Sequence, residues 1–148
     1  MTLKTLLISA AFTVAFAAPG FAGVDDLIKE RQACMKAQGG GLGAMFPMLK
    51  GEKPYDAAMV TEAVGKMETA CANWATWWTD DAKGGTIPTR AKPEVWTDKA
   101  GFEAAGNASY AATQALKASI DEASFKAALP AVGAACQGCH EKFQAPKL

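Results

Sequence analysis

The sequence is short of histidine, of excess charge and of long apolar runs, and each shortage closes off a class of function. His140 is the one histidine among 148 residues. Once it has another role, acid–base catalysis has little to work with, so no catalytic residue is assigned and an enzyme is not expected. Fifteen basic and fifteen acidic side chains cancel to a formal charge of zero, which leaves no basic field to attract nucleic acid. No stretch alternates apolar and polar residues over a strand's length, so a sheet is not expected either. There is no internal repeat, and a chain of this length forms one domain around one core.

The longest apolar run, Leu6 to Ala18, follows Lys4 and gives way to small residues around Ala17, Ala18 and Ala22. It is too short and too abruptly ended for a membrane span. Its layout is that of a secretory signal peptide over residues 1–22, with Ala17 or Ala18 as alternative exits, and the alternative reading is a hydrophobic first helix of the domain. The mature domain is then 23–148, without a membrane span, exported to the periplasm, where cysteines meet oxidising conditions.

Within that domain the apolar residues recur at three and four. Leu27, Ile28, Cys34 and Met35 mark a first helix from about Asp25, loosened at Gly39 to Gly41, after which the pattern resumes through Leu42, Met45, Phe46, Met48 and Leu49 as far as GEKP. A second helix is expected from about Tyr55 to Thr79, through Met59, Val64, Met67, Cys71, Trp74 and Trp78. The polar stretch DDAKGGTIPTRAKP reads as a crossover loop. A third helix spans about Asp98 to Ser119 and carries Phe102, Tyr110 and Leu116. A fourth is capped by Asp121 and runs to about Gln144, kinked at Pro130. The expected fold is all-α, an antiparallel four-helix bundle with one long crossover.

The chemistry concentrates in GAACQGCHEKF, where Cys136 and Cys139 are three apart and His140 follows at once. A zinc site would find at most three ligands here and need Cys34 or Cys71 to complete the set, and adjacent residues on a helix splay by about 100°. A dithiol oxidoreductase places its pair at the start of a helix after a strand, whereas this pair lies deep in an apolar helix. Covalent attachment of one haem c fits every spacing. Cysteines one turn apart each form a thioether to the macrocycle, and the next residue offers its imidazole to the iron. A slot between the facing helices of a bundle holds the flat cofactor. The outsider is a structural or thiol-based protein with no haem.

With this motif at the end of a four-helix bundle, and with ERQACMKAQG, LKGEKPYDAA and KPEVWTDKAGFEAA preceding it in that order, the chain resembles the class II c-type cytochromes, the cytochrome c′ family with its low-spin relatives. The resemblance covers nearly all of the mature chain. It implies that His140 is the proximal iron ligand, that Cys136 and Cys139 are the thioether anchors, that Arg31 partners a haem propionate and that Met35 faces the distal side. Arg31 and Met35 are one helical turn apart and share a face.

The distal position divides the family. Where a methionine binds the iron, the protein is a low-spin carrier of single electrons between periplasmic partner proteins. Where an apolar residue only crowds the site, the iron is five-coordinate and takes nitric oxide or carbon monoxide. A thioether is a good iron ligand, though methionine also occurs as a filler. Four residues after His140, where high-spin members often carry a basic side chain, stands Gln144. The carrier with His140 and Met35 as ligands is therefore the favoured reading, and the gas-binding protein the alternative. A further departure is WATWWTDDAKGGT, where relatives usually have a Phe-Pro turn, which leaves the haem-edge packing of Trp74, Trp77 and Trp78 open. The resemblance also suggests a homodimer through the first two helices, for which Met45, Phe46 and Met48 are interface or core.

Two cysteines stand outside the motif. Cys34 lies 17 positions before Gly51 and Cys71 lies 17 after Pro54, so in two antiparallel helices joined at that turn the thiols sit at one height. A disulfide is expected between them, the alternative being two buried free thiols and a register shifted by the glycine run.

Overall fold

The computed structural model describes residues 23–146; the expected signal peptide lies outside them. Four long helices form the bundle: α1 (Val24–Leu49), α2 (Ala57–Ala70), α4 (Lys99–Lys117) and α5 (Glu122–Phe143), with a one-turn helix α3 (Glu94–Thr97) in the crossover. Helix α1 packs on α2 and α4 on α5, and the long connection between α2 and α4 packs against α1, α4 and α5.

The helix ends follow the local chemistry. Asp25 and Asp26 occupy the positive first turn of α1. Asp56 caps α2 by accepting from the Met59 N–H at 3.1 Å. Asp98 caps α4 through the Gly101 N–H at 3.0 Å. Asp121 and Ser124 cap α5 reciprocally. Gly51, at φ 74°, makes the turn between α1 and α2.

Three expectations are corrected. Helix α1 is not loosened at Gly39 to Gly41 but runs through them, and at Gly41 the missing side chain serves packing. Helix α2 approaches so closely that a Cβ on Gly41 would collide with the Met67 thioether. The second helix does not reach Thr79. It ends at Ala70 and gives way to 3₁₀ turns at Trp74–Thr76 and Asp80–Lys83. The tighter winding places Trp74, Trp77 and Trp78 against one another, with ring centres 6.1 Å apart for Trp74 and Trp77 and 4.9 Å for Trp74 and Trp78. In the third helix, Tyr110 is 64% exposed and lies off the apolar face. Helix α5 continues through Pro130, anchored on either side by the buried Leu129 and Val132.

All four long helices supply the main core, which joins Met45, Met48, Val60, Val64, Met67, Leu116, Phe125, Leu129 and Val132. Met45 and Met48 are thus core rather than interface, while Phe46 is partly buried against them. A second, aromatic cluster at the crossover end gathers Val95, Trp96, Phe102 and Phe143, with Trp74 and Trp78 packed on it.

Candidate functional site

Cys136 and Cys139 project from one face of α5 at one-turn spacing, half-buried and unbonded. They join the two cores. Cys136 packs on the main cluster and Cys139 on the aromatic one, so the pair marks the seam between them. Burial raises the pKa of both thiols, and the neighbouring Cys136 raises that of Cys139 further. A dithiol exchanger needs the opposite, a thiolate stabilised by positive surroundings. The zinc alternative loses its remaining ligands, because Cys34 and Cys71 are bonded to each other. Among the described residues no group of three or more His, Cys, Asp or Glu can hold a metal.

His140 follows on the exposed side of α5. Its imidazole pKa is held below the usual value first by nearby protein atoms that displace water and then by the charge of Arg90. Neither Met35, half-buried on α1, nor His140 belongs to the core clusters.

Arg31 carries the clearest signal. It is 4% exposed, and its only hydrogen bond among the described residues runs from Nη2 to the Ala82 carbonyl at 3.3 Å. Nε and Nη1 are buried without a partner. Its guanidinium carbon lies 4.9 Å from the centre of the Trp78 ring and 5.8 Å from that of Trp96. Cation–π contacts give about 0.5–2 kcal/mol each, whereas leaving a charge buried and unpaired costs several kcal/mol. The balance demands an anion, and burial accordingly lowers the Arg31 pKa. A carboxylate entering beside Trp78 and Trp96 reaches the cluster on which Cys139 also packs. A haem, with two propionates at one edge and thioether carbons at another, fits that donor set.

Cys34 and Cys71 form a disulfide, with Cα atoms 4.9 Å apart. It ties the middle of α1, one residue before Met35, to the end of α2. Gln38 spans the same seam, its Nε2 donating to the Met67 carbonyl at 3.3 Å and to Cys71 Sγ at 3.1 Å.

The sequence reading missed two parts of this site. Trp96 gave no signal as a partner of Arg31, since the residues are 65 apart in the chain and only the crossover brings them together. Arg90 was hidden in a loop, and its place follows from the pairing of residues 90–92 with 143–145.

The model of the cytochrome c′ family matches residues 26–144. The chain belongs to that family. Cytochrome c′ of Rubrivivax gelatinosus, known from a crystal structure, is 34% identical and superposes with a TM-score of 0.78, covering 85% of this chain and 100% of its own. A nitric oxide complex of a mutant cytochrome c′ from Alcaligenes xylosoxidans is 31% identical, with a TM-score of 0.75 over 86% of this chain and 100% of its own. Cytochrome c-556 of Rhodopseudomonas palustris is 29% identical over 147 residues, 96% of this chain and 97% of that one. The chain is a c-type cytochrome with haem c as its cofactor, built as the four-helix bundle of its family. The family comprises electron carriers and gas-binding proteins. Among the described residues no helix is long and apolar enough to cross a membrane.

Proposed function

We propose that this cytochrome is an exported carrier of single electrons in the periplasm, its domain beginning near residue 23 after removal of the signal peptide. Cys136 and Cys139 would hold the one haem by thioethers, His140 and Met35 would be the protein ligands offered to its iron, and Arg31 would bind a propionate. The observation that carries the site is the buried Arg31 guanidinium with two unpartnered nitrogens on the cluster that packs against Cys139.

When bound, the haem supplies exchange of one electron between ferric and ferrous iron. The protein's part is to hold that centre with little rearrangement. Helix α5 presents both anchors from one face, Arg31 neutralises buried negative charge, and the disulfide fixes the stretch of α1 that carries Met35 against α2. The two cores flank the seam with apolar side chains. Redox proteins of the periplasm are the expected partners. A homodimer would use the outer face of α1 and α2, where a groove floored by the small residues Ala37, Gly40, Gly41, Ala44 and Ala63 is bordered by Met59, Glu62 and Lys66.

The second reading is a five-coordinate protein that binds nitric oxide or another small gas. It is supported by the likeness to a cytochrome c′ whose nitric oxide complex is known. The visible spectrum of the reduced protein, before and after carbon monoxide, separates the two. A sharp low-spin spectrum indifferent to the gas supports the carrier, and a high-spin spectrum that shifts at once supports the gas binder.

A further inference from the structure

The end of α5 is pinned by the crossover loop. Ala91 pairs with Gln144 in an isolated antiparallel bridge. On one side of it the Lys92 N–H donates to the Phe143 carbonyl at 3.0 Å, and on the other the Ala145 N–H donates to the Arg90 carbonyl at 2.8 Å. Arg90 then closes the clamp with its side chain, Nε donating to the Ala145 carbonyl at 2.7 Å. The Gln144 N–H in turn donates to the His140 carbonyl at 3.0 Å, so the bridge stands one helical turn from that histidine.

Arg90 differs from the ion-paired lysines on this end. Lys142 is paired with Asp98 at 2.5 Å and Lys99 with Asp80 at 3.5 Å, whereas Arg90 and Lys92 are half-buried, donate to the neutral carbonyls of Ala145 and Glu141 and have no ion-pair partner among the described residues; of these two, Arg90 is the one whose charge acts on the His140 imidazole. A charge that is neither neutralised nor fully in water acts over a longer range than a paired surface charge.

We infer that Arg90, held by the clamp to residues 143–145, is a positioning and electrostatic residue of the proximal side whose fixed positive charge disfavours ferric over ferrous iron and so raises the reduction potential. The inference rests on the proposed role of His140 as proximal ligand. Gln144 leaves α5 without a cation of its own one turn after that histidine, and the loop supplies one from a residue 50 positions earlier in the chain.

The test is the midpoint potential of the holoprotein by spectroelectrochemistry. Arg90→Gln, whose amide can still reach the Ala145 carbonyl, is expected to shift the one-electron equilibrium about tenfold toward the oxidised form, a fall of about 59 mV. Arg90→Lys should stay near the native value, as should Lys142→Gln. Should Arg90→Gln not fold, Arg90→His serves instead. Its potential should fall as the introduced imidazole loses its proton, in a step that the native protein lacks. An unmoved potential in Arg90→Gln, equal shifts in the Gln and Lys variants, or no such step in Arg90→His would overturn the inference. A native protein without covalent haem would instead refute the underlying reading.

Discussion

The Arg31 guanidinium lies 4.9 Å from the centre of the Trp78 ring, almost wholly buried, with Nε and Nη1 lacking any partner among the described residues. A fold that buries a permanent charge this way is complete only with an anion in place. Arg31→Met should therefore affect the holoprotein and the haem-free chain differently. With haem bound, the variant loses a charge-assisted hydrogen bond and about 1.5–3 kcal/mol of stability. Without haem, replacing an unpaired buried cation by an apolar chain is neutral or stabilising. Guanidinium denaturation of both forms checks this, and equal losses in the two would remove the propionate from the account.

The disulfide closes a loop with a sequence separation of 37. By chain entropy, losing it costs about 3–4 kcal/mol. The double variant Cys34→Ser, Cys71→Ser should unfold at correspondingly lower denaturant. In the denatured native protein an alkylating reagent should label no cysteine before reduction and two after it, the other two being the proposed thioether anchors. Two labels without reductant would mean free thiols.

Met35→Ala removes the proposed sixth ligand while leaving the thioethers and His140 in place. The reduced variant should turn high-spin and bind carbon monoxide, and the native protein should not. Identical spectra in the two would transfer the assignment to the gas-binding reading.

Acid should loosen the crossover. The Thr86 hydroxyl donates to the Asp25 carboxylate, as do the Thr86 N–H at 2.7 Å and the Ile87 N–H at 3.2 Å, and the hydroxyl bond leads in lowering the Asp25 pKa from 3.8. Lys117 and then Gln114 lower that of Glu68. A carboxylate with a depressed pKa contributes its full stability above its unfolded value and loses it as pH falls through the folded one. Urea midpoints should thus be flat above about pH 5 and drop below about pH 4, less steeply in Asp25→Asn. A native profile flat into that acid range would contradict these contacts.

What was legible beforehand was what local chemistry dictates. CQGCH carries its spacing in five residues, Asp121 announces α5 by capping it, and the Cys34–Cys71 pair follows from equal distances to one turn because α1 keeps its register through the glycines. What was not legible depends on distant partners. Gly41 is a packing glycine rather than a helix breaker, because Met67 of α2 occupies the space its side chain would need. The tryptophans leave the α-helix at Cys71 because Trp77 is bonded to Glu30 at 2.5 Å and Trp96 to the Thr79 carbonyl at 3.0 Å. Arg90 reaches the end of α5 that carries His140 through pairing across 55 residues.

The central claim, one haem bound covalently through Cys136 and Cys139, is tested most directly by the intact mass of protein expressed with its haem-maturation machinery and denatured in acid. The account predicts the mass of the processed chain plus one haem, with the bare chain's mass in Cys136→Ser, Cys139→Ser. A native protein that shows the bare chain's mass, with its pigment extracted into acidified acetone, would contradict it.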